Sequence, residues 1–142
     1  MAELRLEAPN PKQAEFLRAR ARFIDYGGAR GGGKSWAVRA KASLLSLRFP
    51  GIRELLLRRT YPELKENHVL PLRKLLKDIA VYKEGDKVFE FPNGSRLKLG
   101  YLDSESDVLQ YQGQEYDVIF LDEATQFTEF QFNILTSSGL LG

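Results

Sequence analysis

Eight consecutive residues, Gly28-Ala29-Arg30-Gly31-Gly32-Gly33-Lys34-Ser35, have the types and spacing of a loop that cradles phosphates, G-x-x-x-x-G-K-[ST]. Its glycines let backbone N–H groups turn inward around phosphate oxygens, where side chains would intrude. Lys34 offers a point charge to the β- and γ-phosphates, and the Ser35 hydroxyl can complete the shell of a Mg²⁺ ion. A helix opening at Lys34 aims its N-terminal dipole at the same anion.

A second segment complements the first. Val118-Ile119-Phe120-Leu121-Asp122-Glu123 is an apolar run ending in two carboxylates. It puts Asp122 at the C-terminal end of a buried strand, the edge where open α/β sheets bind ligands. There Asp122 can hold Mg²⁺ through water, and Glu123 can orient and deprotonate an attacking water. Adjacent carboxylates repel unless a cation lies between them, which again points to Mg²⁺. Arg30 has two readings: it stabilises charge developing on the γ-phosphoryl group, or it pairs with Asp122 or Glu123 and orders the loop. Gln13 also has two. It resembles the glutamine that reads the adenine edge in several ATPase families, and it sits where a capping box with Asn10 would place it.

The elements that must position these groups can be read from periodicity and punctuation. Asn10-Pro11 opens a helix that runs to about Arg20. Residues 22–26 form a short strand leading into the glycine loop. A helix then spans Lys34 to about Arg48, with the stripe Ala37, Ala40, Leu44, Leu47, and Pro50-Gly51 stops it. Residues 54–58 read as a strand covered on both faces. Residues from Tyr61 to about Ile79 read as helical, interrupted near Pro71. The runs 87–91 and 95–99 flank Pro92-Asn93-Gly94, a strong hairpin signal. A buried strand follows at 116–121, and a last helix starts near Thr128. Strands alternating with helices argue for α/β architecture with a mainly parallel sheet.

Composition narrows the chemistry. The 142 residues are 43% hydrophobic and contain no cysteine, which excludes disulfide scaffolds, Fe–S clusters and thiolate zinc sites. The single histidine, His68, reads as a helix-surface side chain, so His-based triads are excluded as well. Phe16, Tyr26 and Trp36 read as core rather than as base-stacking platforms. Neither a membrane-spanning run nor an export signal is visible. Under a net charge of +2, the basic residues gather in the first 60 positions and the acidic ones thereafter. That basic half suits a polyanion or a set of solvated helix faces.

With these segments in place the sequence resembles the large subunit of bacteriophage terminases. Asp25 to Ser35, Leu57-Arg58-Arg59-Thr60-Tyr61-Pro62-Glu63-Leu64, Tyr111-Gln112-Gly113 and Phe120 to Phe127 agree with that family in order and context. The resemblance implies an additional-strand, RecA-like P-loop NTPase: a three-layer α/β sandwich with a mainly parallel sheet. It implies ATP and Mg²⁺ as cofactors. The nucleotide-binding residues would be Gln13 and Gly28, Ala29, Arg30, Gly31, Gly32, Gly33, Lys34 and Ser35. Ser35 and Asp122 would be the metal residues, and Glu123, Lys34 and Arg30 the catalytic ones. It further implies a hydrolase that drives double-stranded DNA into a procapsid in the host bacterial cytoplasm. Its partners would be a portal protein, a terminase small subunit and further copies of the chain in a ring.

The sequence departs from the family's pattern at its end. Neither the coupling strand, the trans-acting arginine nor the acidic nuclease cluster appears. Residues 1–142 are therefore expected to be a partial ATPase domain, truncated before the last core strands and without the nuclease domain. On that expectation Leu55–Leu57 and Val118–Leu121 would lie near an exposed sheet edge. Two further readings remain: a nucleotide-binding fragment without turnover, and a helicase-like ATPase of the same superfamily. The Arg30-bearing loop and the Arg58-to-Pro62 segment argue against the helicase.

Overall fold

Leu55, Leu56 and Leu57 are all fully buried, although alternate side chains of a strand point to opposite faces. A strand with that pattern must be covered on both sides, and the architecture around it supplies the cover. The computed structural model describes residues 22–25, 32–111, 114–122, 128 and 130–131. Its elements are β1 (Arg22–Asp25), α1 (Gly32–Arg48), β2 (Arg53–Arg58), α2 (Tyr61–Leu64), a π-helical turn (Lys65–Val69), α3 (Leu70–Leu75), β3 (Val81–Lys83), β4 (Val88–Glu90), β5 (Arg96–Tyr101), a 3₁₀ segment (Glu105–Tyr111) and β6 (Val118–Leu121).

The strands form one six-stranded sheet in the order β1-β6-β2-β5-β4-β3. The first four pair in parallel, and β5-β4-β3 continue antiparallel. Leu56, Val118, Phe120, Leu97 and Leu99 face a core shared with Val38, Ala42 and Leu45 of α1 and with Leu64, Val69 and Leu72 of the second helical segment. Leu55, Leu57, Ile119 and Leu121 face the other way, against Leu102, Val108 and Tyr111. The mainly parallel α/β expectation is met. Within the described sheet β2 and β6 are interior strands, each between two partners, and β6 lies next to the edge strand β1. Among the described residues, no helix is long and apolar enough to cross a membrane.

Three local features depart from the simple periodic reading. The buried face of α1 is Val38, Ala42 and Leu45, while Leu47 is exposed. The helix is therefore turned so that Ser35 and Ser46 both reach acceptors on the sheet. The helix beyond Tyr61 changes its winding, with Leu70 N–H bonding back to Lys65 O across a π turn. Pro71 has no N–H to give the Asn67 carbonyl, and the Arg39 guanidinium donates to that carbonyl instead. Lastly, β3 is a three-residue edge strand, too short to stand out from its surroundings.

The hairpin is as expected. Gly94 has φ +88°, a left-handed conformation that glycine adopts without steric cost. Asn93 Oδ1 accepts from Ser95 N–H at 3.0 Å, and Asn93 Nδ2 donates to Ser46 O at 2.8 Å. The turn is thereby tied to α1.

Candidate functional site

Strand register brings the site residues together. Asp25 pairs with Leu121 across β1 and β6, and Leu57 pairs with Leu121 across β2 and β6. The three strands run parallel and end at one edge of the sheet. Asp122 N–H donates to Leu57 O at 3.1 Å, which sets Asp122 beside Arg58. On the helical side, α1 begins at Gly32 and offers Ser35 from its first turn.

Asp122 is the meeting point. Its Oδ2 accepts from Ser35 Oγ at 2.9 Å, across 87 positions of sequence. Arg58 Nη1 donates to the same oxygen at 2.6 Å, and His68 Nε2 lies 2.7 Å from it. Arg58 Nη1 is also 3.5 Å from Ser35 Oγ, and its Nη2 is 3.2 Å from Glu63 Oε2. Glu63 is held in turn by Thr60, whose hydroxyl donates to Glu63 Oε1 at 2.9 Å. Thr60 is also the N-cap of α2.

The electrostatics follow from these contacts. Burial pushes the Asp122 carboxyl up, but donation from His68, Ser35 and Arg58 outweighs it and holds the group at about 2. Burial lowers the His68 imidazole, and the nearby Arg39 and Arg58 charges add to that despite the pull of Asp122. The ring donates from Nε2 to the carboxylate and leaves Nδ1 buried without a partner among the described residues. The Arg58 guanidinium loses hydration on burial, yet Asp122 and Glu63 raise its pKa above the usual value.

Of the residues singled out by sequence, Ser35 and Asp122 are brought into direct contact. Gly32, Gly33 and Lys34 contribute backbone to the start of α1. Gln13, Gly28, Ala29, Arg30, Gly31 and Glu123 lie outside the described residues, as do Phe16 and Tyr26. Trp36 is 61% exposed rather than core, since the α1 face next to Ser35 points away from the sheet.

Two corrections concern groups that sequence reasoning passed over. His68 is fully buried against Asp122, not on a helix surface. Its signal was available: Leu64, His68, Leu72 and Leu76 repeat at i+4, and all four are buried. Arg58 supplies the cation beside Asp122, so the negative charge there does not by itself demand a metal. Its signal was an arginine closing a run of buried leucines.

The oxygen donors still suit Mg²⁺, which takes a carboxylate and hydroxyl alongside phosphate oxygens. Ser35 gives its hydrogen to Asp122, leaving its oxygen lone pairs for an ion. Among the described residues no group of three His, Cys, Asp or Glu side chains could hold a metal.

Comparison with known proteins follows the same lines. The model of the family described as terminase large subunit, T4-like-virus type, N-terminal, matches residues 25–139. The ATPase domain of the Thermus phage P74-26 large terminase has a similar fold, with a TM-score of 0.57 at 16% identity. The similarity covers 92% of this chain and 58% of that chain, so this chain spans little more than half of its length. No curated protein matches the sequence.

Proposed function

This chain belongs to the terminase large-subunit family, in its N-terminal part, and we propose that it binds ATP·Mg²⁺ and hydrolyses it to move double-stranded DNA into a procapsid. The observation that carries this reading is the 2.9 Å contact of Ser35 with Asp122. It joins the end of the glycine loop to the carboxylate after β6, at the sheet edge where α/β proteins bind ligands.

In this reading the residues divide the work. Backbone N–H groups from Gly28 to Gly33 and the dipole of α1 receive the phosphates, and Lys34 adds its charge to the β/γ pair. Ser35 and Asp122 would hold Mg²⁺, which neutralises charge on the phosphate oxygens when bound. Glu123 takes a proton from water placed in line with the γ-phosphorus. Arg30 stabilises charge on the γ-phosphoryl group, and Gln13 reads the adenine edge. Portal protein, a small subunit and further copies of this chain would complete the packaging assembly.

Trp36 is the only tryptophan and directly follows Ser35. Its fluorescence therefore reports on the loop. Titration with ATP and Mg²⁺ should shift the emission, and Lys34→Ala should remove most of the affinity. Phosphate release then separates turnover from mere binding. Glu123→Gln should keep binding while slowing release by roughly 10²-fold or more, the scale of losing a general base. An emission spectrum indifferent to ATP, together with unchanged affinity for a labelled ATP analogue in Lys34→Ala, would reject the assignment.

A further inference from the structure

His68 is an expensive choice for its position. Its side chain is fully buried, and Nδ1 has no hydrogen-bond partner among the described residues. Burying a polar nitrogen unpaired costs about 1–3 kcal/mol, whereas leucine would continue the stripe of Leu64, Leu72 and Leu76 without that cost. Packing therefore does not explain a histidine here. Its polar contact among the described residues does: Nε2 lies 2.7 Å from Asp122 Oδ2.

The three donors on Oδ2 differ in stiffness. Ser35 offers a hydroxyl that rotates about one bond, and Arg58 a long chain shared with Glu63. His68 presents a rigid ring from a turn that is itself pinned. Arg39 donates to the Asn67 carbonyl, and Asn67 Nδ2 donates to Glu63 O at 2.9 Å. The ring thus fixes Oδ2 in space and, through the planar carboxylate, the direction of Oδ1.

We propose that His68 is the positioning residue of Asp122, fixing the carboxylate's orientation and so setting how readily the site takes Mg²⁺. This rests on the reading of the site as one for ATP·Mg²⁺. Outer residues that orient a metal-binding carboxylate typically contribute 10- to 100-fold in metal affinity. The π turn gains a purpose from it: the extra residue per turn carries His68 to Asp122 while the flanking helical turns keep their apolar faces on the core.

The test is a Mg²⁺ titration of the 142-residue chain with a fluorescent ATP analogue, comparing the original sequence with His68→Leu and His68→Gln. His68→Leu should raise the Mg²⁺ concentration for half-maximal binding by about 10-fold or more, with analogue affinity in chelator unchanged. His68→Gln, whose amide donor can reach Oδ2, should restore most of that loss. If the leucine variant does not fold, His68→Asn, too short to reach Asp122, should show the same raised requirement. A Mg²⁺ requirement unaltered in both the leucine and asparagine variants would overturn the proposal. So would a glutamine variant no better than leucine, which would mean a packing role. Failure of the original sequence to bind the analogue in a Mg²⁺-dependent way would instead reject the site reading, and this inference with it.

Discussion

The guanidinium of Arg58 donates to the carboxylate of Asp122 at 2.6 Å, with the two side chains only 9% and 2% exposed. Removing one member of so buried a pair strands the other, at about 3–5 kcal/mol. Arg58→Met should therefore destabilise the chain by that amount in urea unfolding. Adding Asp122→Asn should recover part of the loss, because no uncompensated charge then remains. A double variant as unstable as the sum of the singles would show that the two residues act independently.

Asp122 also sets an acid limb. Its folded value of about 2 lies below the usual 3.8, so its contribution is complete above pH 3.8 and is lost as pH falls through about 2. The shift corresponds to roughly 2 kcal/mol. Asp122→Asn should flatten that part of the stability profile, as read from urea midpoints between pH 2 and 5. A profile as steep in the variant as in the parent would assign the limb to other carboxylates.

Glu54 works in the opposite direction. Burial in β2 raises its carboxyl well above the usual 4.5, against the lowering by its Ser46 hydrogen bond, while Asp117 adds a smaller push upward. A raised folded value means that the contribution is full below pH 4.5 and is lost as pH rises through that folded value. Glu54→Gln, which cannot ionise, should melt at a higher temperature than the parent at pH 8 and gain less at pH 4. Equal gains at both pH values would remove Glu54 from the account.

Gly100 allows a close approach. A Cβ at that position would run into the Tyr111 hydroxyl and ring and lie 2.9 Å from Leu57 Cδ2. Tyr111 is buried and hydrogen-bonds the Tyr101 backbone, so it cannot swing clear. Gly100→Ala should destabilise the chain by about 1–3 kcal/mol, the range for overpacking. Loosened packing of the 3₁₀ segment should also appear as weaker near-ultraviolet circular dichroism. A fully stable alanine variant would mean that this face of the sheet yields more easily than its burial implies.

Much of the scaffold was legible for physical reasons. Residues 54–58 and 116–121 read as strands because burial on both faces forces continuous apolar runs. Asn93-Gly94 read as a turn because few residues accept a positive φ. Ser35 and Asp122 were legible as a pair because their flanking segments have fixed spacing. What escaped depends on contacts between distant segments. His68 has Lys65 and Glu66 as close neighbours, so local composition suggests a wet face. Only the change of winding before Pro71, together with the Leu64-to-Leu76 stripe, turns it inward. Arg58 gives no hint locally that a carboxylate 64 positions away will meet it. On α1, two stripes one residue apart were equally apolar, and the acceptors for Ser35 and Ser46 selected between them.

The order of the sheet also dictates a schedule. The β4–β5 hairpin is closed by a short turn, and β5 then pairs with β2. Among the described residues β1 has one neighbour in the sheet, β6, which is nearly a hundred residues further along the chain. Joining ends that far apart carries a loop-closure penalty that nearby pairings escape, and such contacts slow folding. The strand that leads into the glycine loop is thus the last that can dock. On the proposed reading, a growing polypeptide would have no assembled phosphate cradle until β6 is in place between β1 and β2, so ligand binding would be coupled to completion of the sheet rather than to emergence of the loop itself.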